Sequence, residues 1–240
     1  MSLTLNAWWK PRPETADACA EHLQEMLVRL TCVHPVFNCW KKKAKTKKDA
    51  QKPFCAMPPE IAQLRTIVAA NIMRDDSNKP WPELGYRISA WNELDKYHGL
   101  FFHAGVGAWN NNVPEPNNIF FQLGNAAPAN EDLLNYCILR DILIAVTQSW
   151  GAEWATIERW DDDRRPKDEE GNLRRPWGGW ITYLSPTYAR LVMPPAAAIN
   201  ENLSHGGLLI AVTKDQFILD DPAQTAVYDA VQACLRPLQK

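Results

Sequence analysis

The residues in this chain whose types and spacing could do chemistry are carboxylates. Glu158 is followed by Asp161, Asp162 and Asp163, then by Asp168, Glu169 and Glu170, within the stretch WDDDRRPKDEEGNLRRPWGGWITYLSP. Two acidic groups at close range serve glycosidases as acid and base, and serve metal-dependent nucleases as ion ligands. Glu158 with Asp161 or Asp163 is therefore one candidate pair. The pattern argues against it, because catalytic carboxylates work singly from rigid elements that tune their pKa values. Here six acidic and five basic residues alternate in one loop-like block. A solvated loop is the first interpretation, a loop recognised by another protein the second, and an active site the third.

Other chemistries find less support. Cys32, His34 and Cys39 give C-x-H-x4-C without a fourth ligand at a recognisable distance, so no metal is expected. The six cysteines (Cys19, Cys32, Cys39, Cys55, Cys137, Cys234) show no C-x-x-C spacing and read as reduced thiols. His98 and His103 are five apart, and on a strand an odd separation points them to opposite faces. No G-x-S-x-G elbow surrounds Ser185 or Ser204, and no phosphate-cradling glycine loop is present, so no cofactor is expected either. The glycine pairs at 178–179 and 206–207 precede strand patterns and suit tight turns.

The charge balance points the same way. A net charge of −2 and a pI near 6.2 provide no general field for nucleic acid. The lysine run KKKAKTKKDAQK lacks interleaved aromatics for stacking bases and reads as a solvated loop or helix extension. Eleven tryptophans, by contrast, are many for 240 residues, and tryptophan anchors both cores and interfaces. A chain rich in anchors and poor in convergent catalytic groups is expected to bind rather than catalyse, and not to be an enzyme. The apolar stretch from Leu133 to Val146 is broken by Arg140 and Asp141 and is too short to span a bilayer. MSLTLNAWWKPRPE shows no export signal, so the cytoplasm is the expected compartment.

The elements that would position these groups can be read from periodicity. LTLNAWW reads as a strand ended by Pro11 and Pro13, followed by a helix with Ala16, Cys19, Ala20, Leu23, Met26, Leu27 and Leu30 on one face and His22 in solvent. MPPEIAQLRTIVAANIM suggests a second helix with Pro59 in its first turn. YRISAW, LFFHAGVG and NIFFQLG have the pattern of an antiparallel meander. Asn130 is placed to cap a central helix, EDLLNYCILRDILIAVTQSW, apolar on nearly every side. EWATIERW, WGGWITYLS, GLLIAVT and QFIL follow as strands, the last two joined around Lys214 and Asp215. A final helix is capped by Asp221, with Pro222 in its first turn and Gln224 closing a capping box. Strands come in runs rather than alternating with helices, which predicts an α+β fold: mainly antiparallel sheet packed with about four helices. Residues 1–240 are expected to form one domain; if there are two lobes, they are 1–125 and 126–240, divided at GNAAPAN.

At WGGWITYLS the sequence resembles the immunity protein 52 family of bacterial polymorphic-toxin systems. Gly179, Trp180, Ile181, Thr182, Tyr183, Leu184 and Ser185 carry the family's glycine-tryptophan to tyrosine-leucine-serine strand. The aromatic first strand, the helix containing CAEHL, ISAWNEL, SWGAEWATI and GGLLIAVT extend the resemblance over nearly the whole chain. The lysine run has no counterpart in the family pattern.

The resemblance implies a cytoplasmic inhibitor of a cognate toxin. That partner is a type VI secretion effector, typically a nuclease with a restriction-endonuclease-like domain. Inhibition could cover the toxin's active site or a surface it needs for assembly. Nuclease surfaces that bind DNA tend to be basic, so Asp161, Asp162, Asp163, Asp168, Glu169 and Glu170 are candidate contacts that mimic phosphate charge. Trp177 or Trp180 is a candidate anchor, although Arg164, Arg165, Arg174 and Arg175 nearly neutralise the loop and Trp180 fits a core strand equally well. Two other roles make different demands. A carbohydrate- or peptide-binding module would line an open groove with Trp81, Trp91 and Trp109. A metal-dependent hydrolase would bring Glu158 and one of Asp161 to Asp163 together in a cleft.

Overall fold

Alternation along the first strand, β1 (Ser2–Trp9), divides the molecule into two sides. Leu3, Leu5, Ala7 and Trp9 enter the main core, while Thr4, Asn6 and Trp8 face the other way. The computed structural model describes residues 2–44, 46–93, 99–110, 117–125 and 132–239. After β1 come helix α1 (Ala16–Val33), the two-residue strand β2 (Lys41–Lys42) and helices α2 (Lys47–Ala50) and α3 (Ile61–Ala70). A meander follows: β3 (Tyr86–Glu93), β4 (Gly99–Val106) and β5 (Asn117–Asn125). Then come α4 (Tyr136–Trp150), β6 (Trp154–Arg159), β7 (Ile181–Leu184), α5 (Pro186–Ala189), β8 (Ile199–Asn202), β9 (Leu208–Ala211) and α6 (Pro222–Leu235).

The strands form one antiparallel sheet in the order β2-β3-β4-β5-β1-β6-β7-β9-β8. With four helices of ten or more residues, this is the expected α+β class. β1 pairs with both β5 and β6, so segments 1–125 and 126–240 share one sheet.

The two sheet faces are covered differently. On the first, α1, α3 and α4 pack over Leu5, Ile88, Phe102, Phe121, Ile157 and their neighbours, forming the larger core. On the second, Val231 and Leu235 of α6 cover Trp154, Leu184, Leu208 and Ile210. The second face is therefore apolar and covered across β6, β7 and β9. Across β3, β4, β5 and β1 it carries a different set of residues.

Several local expectations need correction. Pro59 precedes α3, whose N-cap is Glu60. Asn135, not Asn130, caps α4 by accepting from the Cys137 N–H; Asn130 lies outside the described residues, and Asp132–Leu134 form a 3-10 turn instead. Part of the lysine run is structured, since Lys41 and Lys42 pair with Trp91 and Ala90 at the sheet edge. His22 is not simply solvated: it bonds Glu14 at 3.1 Å and lies against the Trp150 ring. QFIL is not a strand, because Phe217 is buried in a stack with Tyr228, and the polar segment INEN is β8. Asp221 caps α6 as expected, but Gln224 accepts from the Ile218 N–H rather than closing a capping box.

Candidate docking face

The second face over β3, β4, β5 and β1 is built by strand register. Three cross-strand rows run over it: Trp91–Phe101–Gln122–Thr4–Glu158, then Ser89–His103–Phe120–Asn6–Thr156, then Arg87–Gly105–Asn118–Trp8–Trp154. At about 4.8 Å per strand, the span from β2 to β6 is about 24 Å. Among the described residues no helix of the second core covers this half. Its aromatic members Trp91, Phe101 and Phe120 remain partly exposed, and Trp160 stands at its rim, 61% exposed and edge-on to Phe120 at 5.9 Å.

The rim beside β6 is the charged loop, and tryptophans tie it down. Trp8 stacks on Trp154 with centroids 4.0 Å apart, and Trp177 meets both edge-on at 5.0 and 4.7 Å. The Arg175 guanidinium lies over the rings of Trp8 and Trp177. Trp8, Trp177 and Arg175, together with Asn6, Phe120, Glu158 and Arg165, line a recess of about 390 Å³ that opens onto the face.

Glu158 is the floor of the recess and only 3% exposed. Trp177 Nε1 donates to one carboxylate oxygen at 2.7 Å, Asn6 Nδ2 donates to the other at 3.0 Å, and Arg165 Nη1 lies 4.0 Å away. Those three favour the charged form, and the buried Asp162 opposes it. Burial is the largest influence and, with Asp162 acting in the same direction, it outweighs those three and pushes the Glu158 carboxyl up to about 7. On the same face, burial, Arg87 and Lys43 hold the His103 imidazole below its ordinary value.

The acidic residues singled out in the sequence separate in three dimensions. Asp161 is exposed and paired with Arg159 at 2.7 Å. Asp162 turns inward to 2% exposure, where the Arg164 backbone and guanidinium take its carboxylate. Asp168 accepts from the Asn172 backbone at 2.7 Å and so fastens its own turn. Asp163, Glu169 and Glu170 are exposed and carry no ion pair among the described residues. Trp177 and Trp180, the candidate anchors, are 2% and 0% exposed, with Trp180 Nε1 bonded to the Thr213 carbonyl. Their rings pack inside the loop and strand.

The motif residues are interior too. The Gly179 N–H bonds Thr182 Oγ1, Tyr183 hydroxyl meets His205 at 3.2 Å, Leu184 joins the smaller core, and Ser185 caps α5. Of the tryptophans proposed for a sugar groove, Trp81 and Trp109 are exposed beside the Pro82–Leu84 turn, whereas Trp91 lies on β3 under Lys41. His98 lies outside the described residues, and His34 bonds Asp132 rather than a metal set with Cys32 and Cys39. Among the described residues no three potential ligands gather around a point that could hold a metal ion.

Lys43, Arg87, His103, Phe101 and Phe120 were not singled out as a surface, yet the sequence carried a signal. Phe101-Phe102 and Phe120-Phe121 are adjacent aromatic pairs in neighbouring strands, and a period of two must turn one ring of each pair away from the core.

The family-type strand is thus interior, while the other half of the sheet presents rings and charges at its surface. The chain belongs to the immunity protein 52 family, whose model matches residues 4–238. Among solved structures, the Pseudomonas aeruginosa T6SS protein PA0821 is similar over 98% of this chain and 72% of its own length, with a TM-score of 0.56 at 13% identity, a likeness of fold. A comparison with curated proteins gives no match. Among the described residues no helix is long and apolar enough to cross a membrane.

Proposed function

We propose that this chain binds a cognate nuclease toxin in the cytoplasm and neutralises it by direct protein–protein contact, with no catalytic step of its own. The toxin is an effector delivered by type VI secretion, and the chain protects the cell that makes it. The observation that carries this is the match to the immunity protein 52 family across residues 4–238. Likeness in fold to a T6SS protein supports the delivery route. Asp161, Asp163, Glu169 and Glu170, exposed at the rim of the open face, are the acidic groups placed to meet a basic nuclease surface and speed its association. Asp162 and Asp168 act indirectly, by shaping the loop.

The test is coexpression with the protein encoded immediately upstream. Induction of that protein alone is expected to stop growth and fragment chromosomal DNA, and coexpression of this chain to restore both. Fragmentation that continues while this chain accumulates in folded form would refute the proposal.

A further inference from the structure

We propose that the open half of the sheet is the surface that takes the toxin, and that its β2–β3–β4 end receives an acidic segment of that protein. This rests on the immunity role above and adds the site and the chemistry of the contact. Arg87 and Lys43 are exposed at that end, and neither has an ion pair among the described residues. Lys41 lies over the Trp91 ring at 5.0 Å and Lys43 over Phe101 at 5.5 Å, so both ammonium groups are held at the face by aromatic contact. Arg87 and Lys43 both act on His103, which places the three in one positive field.

A docking surface needs rigid rings flanked by charges that a partner can match. Trp91, Phe101 and Phe120 are fixed by β-pairing on both sides or by cation contact, so little conformational freedom is lost when a partner covers them. The charged loop that follows β6, four strand spacings or about 19 Å from the β3 of Arg87, holds the exposed Asp163, Glu169 and Glu170. The loop carries Arg164, Arg165, Arg174 and Arg175 beside those acids, so the face as a whole shows both signs, and a nucleic acid, which brings phosphates alone, matches only part of it. A protein can match both signs, so the toxin surface is acidic opposite Arg87 and Lys43 and basic opposite the loop.

The experiment measures binding of the upstream-encoded toxin to the wild-type chain, to the Lys43→Glu/Arg87→Glu double variant and to Arg236→Glu, an exposed change on the far terminal turn. Circular dichroism and an unchanged thermal midpoint confirm that each variant folds. The double variant is expected to bind at least about 30-fold more weakly, mainly through slower association, while Arg236→Glu stays within about twofold. If wild type binds and the double variant binds equally well, this surface is wrong and the immunity role stands. If wild type does not bind, the immunity role falls and this surface with it. Tight binding of a single-stranded oligonucleotide, abolished in the double variant, would make the face a nucleic-acid surface and overturn the proposal.

Discussion

Replacing Gly179 by alanine is expected to destabilise the protein by about 3 kcal/mol or more, enough to leave much of it unfolded or insoluble at growth temperature. A Cβ at this position would sit 2.2 Å from Thr156 Oγ1 and 2.3 Å from the Ile157 carbonyl oxygen. The threonine is fully buried, and the carbonyl belongs to β6, where Ile157 is registered against both Leu5 and Ile181. The carbonyl cannot withdraw without disturbing the pairing of β6 with β1 and β7, and the hydroxyl can turn away only by giving up its bond to the Ile181 carbonyl. Gly171→Ala is the control: nothing lies within 4 Å of its added Cβ, and only the positive φ of 87° opposes it, at about 1 kcal/mol. Denaturant midpoints of both variants decide the matter. Equal, small losses would mean that the chain at Gly179, just before β7, does not approach β6 this closely.

The second large effect is on the pH dependence of stability and centres on Glu158. Its carboxyl titrates at about 7 in the fold against 4.5 when free. A raised folded value means that the native state holds the proton more tightly. This contribution is complete below pH 4.5, declines as pH rises toward 7, and is gone above that. The shift corresponds to about 3 kcal/mol. Glu158→Gln removes the titration while keeping the shape: its oxygen can accept from Trp177, and its NH₂ can donate to Asn6 once that amide rotates by a half-turn. The stability of Glu158→Gln relative to wild type should therefore improve by about 3 kcal/mol between pH 4.5 and pH 8. A flat difference, read from denaturation at several pH values, would show that the Glu158 proton does not contribute in this way.

What could be read from the chain was whatever one element decides alone. Alternation gave β1, β3, β4 and β5, and Asp221 announced the start of α6 because a cap needs only its own next turn. Features decided between elements were not legible. INEN carries one apolar residue in four and becomes β8 because Leu208–Ala211 presents a partner, while QFIL has a strand's composition but gives its ring to Tyr228. Asn130 and Asn135 are equally good caps by type, and the intervening 3-10 turn selects the second. The same holds at the site. Asp161, Asp162 and Asp163 are chemically identical, and only the path of the chain turns the middle one inward toward Arg164. Trp177 and Trp180 are buried, whereas one ring of each doubled phenylalanine in β4 and β5 reaches the surface, as a period of two requires.

The most direct measurement is the affinity of the purified chain for the purified toxin encoded beside it, by titration calorimetry. Neutralisation by contact predicts saturation at a fixed stoichiometry with a dissociation constant of about 10 nM or below, the range in which an inhibitor holds its target at cellular concentrations. No heat and no complex at concentrations of about 10 μM, with both proteins folded, would contradict it.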